Sequence, residues 1–114
     1  MKTPEGLDKR GRQLWLAVMA DLELEPHETL LLEEACRVAD RLEQLHLAIR
    51  ATGMTMPDGR VNPALIEVRL QGVTLARLVA SLRLPDEYRA EMLDRGQRRG
   101  ALRGTYRLRA VNNA

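Results

Sequence analysis

Phenylalanine is absent from this chain of 114 residues, and Trp15, Tyr88 and Tyr106 are its only aromatics. A core without large rings must be built from Leu, Val, Ala, Ile and Met, which favours packed helices over a β sandwich. Cysteine occurs once, at Cys36, so there is no intrachain disulfide and no zinc-binding cysteine pattern, and a reducing, intracellular setting is expected. Long hydrophobic runs are missing as well. No apolar window approaches the roughly 20 residues needed to span a bilayer, and the opening MKTPEGLDKRGR lacks the apolar segment of a signal peptide. The expectation is a soluble, cytoplasmic protein with no membrane partner.

What is present is charge, unevenly placed. Residues 1–94 hold 12 Lys and Arg against 16 Asp and Glu, whereas residues 95–114 hold 6 Arg and no acid. The chain therefore reads as a helical body, residues 1–94, followed by a basic tail, residues 95–114. Arginine outnumbers lysine 16 to 2, which suits phosphate-directed guanidinium forks and equally suits the codon bias of a GC-rich genome. The length is that of one domain with a modest core, for which oligomerisation is a common support.

Apolar spacing predicts three helices. The first opens near Asp8, with Gly11, Trp15, Val18 and Leu22 at steps of 4, 3 and 4, and is broken by Leu24-Glu25-Pro26. Pro26 then suits the first position of a second helix, with Glu28 at its positive end. That helix runs to Thr52 with a heptad-like seam of Leu31, Ala35, Val38, Leu42, Leu45 and Ile49, while Glu33, Glu34, Arg37, Asp40, Arg41 and Glu43 occupy its other faces. Gly53 suits a helix stop. Met54-Thr55-Met56 and Arg60-Val61 flank the turn Pro57-Asp58-Gly59 as a short β-ribbon, and Asn62-Pro63 reads as an N-cap and first helical residue.

The third helix is expected from Pro63 to about Leu84, ended by Pro85. It has two apolar rows: Leu65, Val68, Gly72, Leu75, Val79 and Leu82, and beside them Ile66, Leu70, Val73, Ala76 and Ala80. That surface is wider than one partner helix needs. One row is expected on the second helix, and part of the other on the first helix or a neighbouring subunit. The segment DEYRAEMLDR after Pro85 reads as a short fourth helix, and the rest as a flexible or partly ordered tail. The fold class is all-α: an N-terminal helix and a hairpin of two long helices joined by a short β-ribbon turn, with a basic C-terminal tail.

Catalytic constellations are weak. His27 and His46 belong to no metal motif, Cys36 sits where a small buried hydrophobe fits better than a nucleophile, and Glu33 with Glu34 reads as a solvated face. No phosphate-binding glycine loop is present, so ATP hydrolysis would have to come from a partner. The expectation is a protein that is not an enzyme, with no catalytic residue, metal or cofactor. The strongest chemical feature is the tail. Arg95, Arg98, Arg99, Arg103, Arg107 and Arg109 suit duplex phosphates, with affinity that falls steeply in salt; a solubilising tail or docking on an acidic partner are the alternatives. Lys9, Arg10 and Arg12 form a second, weaker DNA-contact patch. The second helix opens PHETLLLEEA, too acidic for reading base edges as a recognition helix.

The order of GRQLW (Gly11–Trp15), LLLEEACRVADRLEQL (Leu30–Leu45), Gly53 with its turn, VNPAL (Val61–Leu65) and LARLVASLRLP (Leu75–Pro85) resembles the small terminase subunit of tailed bacteriophages. The likeness spans about residues 6–85. It implies a non-enzymatic factor of viral genome packaging in the host cytoplasm. Such a factor is a homo-oligomer, commonly a ring, that binds double-stranded viral DNA and recruits or regulates the large terminase subunit carrying ATPase and nuclease. No DNA-contacting residue transfers from the family position by position. A helical adaptor, or a small DNA-binding transcriptional regulator, is the alternative function.

Overall fold

Two proline-marked starts and one glycine stop set the helical frame. The computed structural model describes residues 2–84 and the backbone of residues 107–108. Within it α1 spans Lys9–Asp21, α2 spans Pro26–Thr52 and α3 spans Pro63–Leu82, with two-residue strands β1 at Leu22–Glu23 and β2 at Arg107–Leu108. The described chain is thus all-α with an N-terminal helix and a helical hairpin.

The sequence-expected bounds of α2 hold at both ends. Glu28 accepts the backbone N–H of Glu25 at 2.7 Å, closing the N-terminus around Pro26. Gly53 ends the helix with φ 89°, where a Cβ is disfavoured, its N–H donating to the Ile49 carbonyl. The connection is a tight β-ribbon: Thr55 bridges Val61 antiparallel, and Met56 and Arg60 share a 2.7 Å backbone bond. Asn62 then joins the two helices. Its Oδ1 accepts from the Ala64 N–H that opens α3, while its Nδ2 donates to Thr52 Oγ1 and the Gly53 carbonyl at the end of α2.

Other boundaries differ from the sequence reading. α1 stops at Asp21, before the Leu24-Glu25-Pro26 break, because Leu22 turns extended and is fully buried. β1 there pairs antiparallel with β2, setting Glu23 opposite Arg107, within the tail read as flexible or partly ordered. α3 ends at Leu82 rather than Leu84, because Arg83 takes a left-handed conformation (φ 54°, ψ 48°) that returns Leu84 to the core. The expected fourth helix after Pro85 lies outside the described residues.

Packing gathers at one end of the hairpin. Leu7, Trp15, Val18, Leu22, Leu32, Cys36, Val79, Leu82 and Leu84 form the core, where α1 lies across the first half of α2 and the last turns of α3. Of the two apolar rows on α3, Leu65, Val68, Gly72, Leu75, Val79 and Leu82 are covered or half-covered. The second row, Ile66, Leu70, Val73, Ala76 and Ala80, is exposed along its length, and none of it is taken up by α1. Beyond the reach of α1 the hairpin continues as a two-helix arm that no other described element covers. From Arg41 to Leu78, Asn62 alone is buried.

The α1–α2 crossing gives one charged residue of α2 a buried role. Asp40, placed by the sequence off the apolar seam, is buried at 7% exposure and reaches across to the start of α1. Its Oδ1 accepts the Gly11 N–H at 2.6 Å, and its Oδ2 accepts the Asp8 N–H at 2.7 Å. A carboxylate from another helix therefore fills both positions of a capping box, at the positive end of the α1 dipole.

Candidate nucleic-acid interface

Lys9, Arg10 and Arg12 occupy the first turn of α1, with exposed side chains. Two of them are already engaged within the chain. The Arg12 guanidinium donates to the Leu7 carbonyl at 2.6 Å, and Arg10 Nε lies 3.9 Å from Glu43 Oε1. Asp8 accepts from Gln44 Nε2 beside them, and Asp40 sits beneath. The cluster is therefore a mixed surface, and its basic character is weaker than the run KRGR suggests. An exposed pair such as Arg10–Glu43 contributes little stability and yields readily to a phosphate.

Of the tail arginines, Arg107 is placed in β2 by its backbone, while Arg95, Arg98, Arg99, Arg103 and Arg109 lie outside the described residues. β2 pairs with Glu23 just past the C-terminal end of α1, and Lys9 begins that helix. Thirteen residues at 1.5 Å separate the two points by about 20 Å. The structure thus sets the anchored tail strand and the N-terminal cluster at opposite ends of one helix.

Sequence reasoning did not single out the exposed arginines of α3. Arg69 and Arg77 are eight positions apart, close to two helical turns, and both are exposed. Arg77 continues the row of Ile66, Leu70 and Val73; eight-residue spacing beside an unclaimed apolar row was the available signal. By contrast Arg37 and Arg41 are tied into a surface network with Glu33 and Glu34, and Arg41 also donates to Gln71.

Residues weighed for catalysis have structural surroundings. Cys36 is fully buried against α1, and its thiol is pushed up to about 12, first by burial and then by the charges of Asp40 and Glu33, with Arg37 partly offsetting them. It is a protonated core residue at neutral pH. His27 and His46 are both exposed. Among the described residues no three His, Cys, Asp or Glu side chains gather to hold a metal ion. No helix among them is long and apolar enough to cross a membrane. At the hairpin tip Met56, Pro57, Asp58, Arg60, Val61 and Pro63 line an open groove, with Arg60 paired to Asp58 at 3.4 Å.

The fold and these surfaces define, among the described residues, a helical hairpin with α1 packed on one end and an arm at the other. Compared with protein-family models, curated proteins and solved structures, the chain matches none.

Proposed function

We propose that this chain is a non-catalytic DNA-packaging factor of the small terminase subunit kind. In this reading it assembles as a ring-shaped homo-oligomer, binds double-stranded viral DNA, and recruits or regulates the large ATPase and nuclease subunit. The observation that supports the reading is the arm: among the described residues nothing covers the outer apolar row of α3, a surface of the kind that a neighbouring subunit completes. The basic tail supplies phosphate contacts that need no base recognition. The order of helix, long helix, tight turn and return helix agrees with the residue pattern from which the likeness was drawn.

The test joins mass and DNA binding on the full chain. Light scattering should give a closed higher oligomer, and duplex binding should weaken steeply with salt. Each phosphate contact contributes about −0.9 to the slope of log affinity against log salt, so removing residues 95–114 should flatten it by several units. A stable monomer would sink the ring; a stable dimer would favour the regulator. Unchanged binding by the truncated chain would remove the tail from the mechanism.

A further inference from the structure

Charge divides the chain into two complementary stretches. Residues 13–36 hold six acids, Asp21, Glu23, Glu25, Glu28, Glu33 and Glu34, and no Lys or Arg, while residues 95–114 hold six Arg and no acid. Glu33 and Glu34 are taken up by Arg37 and Arg41. Among the described residues no Lys or Arg pairs with Glu23, Glu25 or Glu28. These three gather where the chain passes from α1 through β1 into α2.

The tail meets the body at that point. β2 runs antiparallel to β1, with Leu108 opposite the fully buried Leu22 and Arg107 opposite the exposed Glu23. Opposite charges at directly opposed positions favour an antiparallel pair, and like charges disfavour it. The pairing spans two residues on each strand, and so short a ribbon is marginal by itself, so it forms and opens readily. The same place is a poor seat for phosphate. Glu23 and Glu25 repel it, Pro26 has no N–H to offer, and Glu28 already takes the backbone N–H of Glu25, so the start of α2 lacks the open donors of an anion-binding helix end.

We propose that β1 is the seat of an autoinhibitory latch: the tail strand β2 rests there, with Arg107 opposite Glu23, and must leave before the tail arginines bind phosphate. This deepens the packaging reading and rests on its assignment of DNA contact to the tail. Arg103 and Arg109 lie within four residues of Arg107 in sequence, so a duplex reaching for them draws on the same stretch of chain. Apparent affinity scales with the undocked fraction: a tail docked about nine-tenths of the time binds about tenfold more weakly than a free one. By linkage, the duplex weakens docking by the same factor.

The test follows hydrogen exchange of residues 22–24 and duplex DNA affinity, both on the full chain. Glu23→Arg and Arg107→Glu each set like charges opposite one another and should speed that exchange several-fold, while the double variant should restore protection. Glu23 is exposed, so the melting temperature of its variants should stay near that of the parent. A saturating duplex of arbitrary sequence should also speed exchange at 22–24 in the parent. Glu23→Gln should tighten duplex binding several-fold, and by more than Glu67→Gln, which removes the same charge from an exposed position on α3. Exchange indifferent to both charge reversals overturns the latch, and so does protection that persists under saturating duplex or an equal gain from Glu23→Gln and Glu67→Gln. In each of these cases duplex binding by the parent keeps the packaging reading. Absence of duplex binding by the parent and by Glu23→Gln at low salt removes the packaging reading and, with it, the latch, even where the charge reversals show a docked strand. Protection that rises with protein concentration assigns the docked strand to a second copy and overturns a latch within one chain.

Discussion

The backbone N–H of Gly11 donates to the carboxylate of Asp40 across the α1–α2 crossing at 2.6 Å, and the crossing is close because Gly11 has no side chain. A Cβ there would stand 2.5 Å from Asp40 Oδ2 and 2.6 Å from the Cys36 carbonyl, one of them rigid backbone. Gly11→Ala must part the helices and lose the cap together. A loss of about 3 kcal/mol is expected, combining overpacking with a buried unsatisfied donor. Urea unfolding followed by the fluorescence of Trp15, the single tryptophan and a buried one, measures it directly.

Asp40→Ala tests the carboxylate from the other side. It leaves the Asp8 and Gly11 N–H groups without their acceptor in a partly closed site, for a cost of about 2 kcal/mol. Asp40→Asn keeps one acceptor oxygen and should cost less. Equal losses for the two variants would show that the negative charge, rather than side-chain volume or a single acceptor oxygen, sets the role of this position.

At the hairpin turn, Asn62 both caps α3 and ties the end of α2. Asn62→Ala should lower stability by about 2 kcal/mol, whereas Asn62→Asp keeps the cap and loses only the two donated bonds. Hydrogen exchange should show the loss concentrated around Thr52 to Leu65. Uniform loss across all three helices would count against a local tie.

The buried thiol makes stability fall at high pH. Cys36 holds its proton up to about 12 in the folded chain against 9.0 for its ordinary value, so above pH 9 the unfolded chain binds fewer protons than the folded one. Stability therefore declines as pH rises from 9 towards 12, approaching about 1.4 kcal/mol per pH unit within that window, and is unaffected by this group below it. Cys36→Ala should remove that slope while costing some packing. Denaturation midpoints between pH 8 and 11 distinguish the two effects.

Arg83 holds a left-handed backbone at the end of α3 without the freedom of glycine. Arg83→Gly should stabilise the chain by about 0.5–1 kcal/mol, the relief of that conformation less the added entropy of the unfolded state. A drop in melting temperature would instead assign the arginine side chain a contact worth more than the strain.

The residues that proclaim themselves in sequence are those whose constraint is local. Pro26, Gly53 and Asn62-Pro63 act on their own backbone, and the ends of α2 and the start of α3 fall where they were expected. Asp40 was not legible in the same way. Set among Glu33, Glu34, Arg37 and Arg41 it resembles a solvated face, and its partner is a backbone 29 positions earlier. Its one trace was the four-residue step from Cys36, which puts both on one face. The early ends of α1 and α3 were hidden for a related reason: burial of Leu22 and Leu84 is decided by tertiary packing. The DNA-contact residues proposed from charge are legible only as composition, since a run of arginines states a preference for phosphate without stating where the chain holds it.

The capping of α1 by a residue of α2 also bears on the order of events during synthesis. The start of the first helix leaves the ribosome well before Asp40 does, with its first donors facing only water. Nucleating a short helix is unfavourable by itself, so α1 should remain frayed until the second helix has been made far enough to present that carboxylate. The earlier-made of the two helices is then the later in this crossing to become firm.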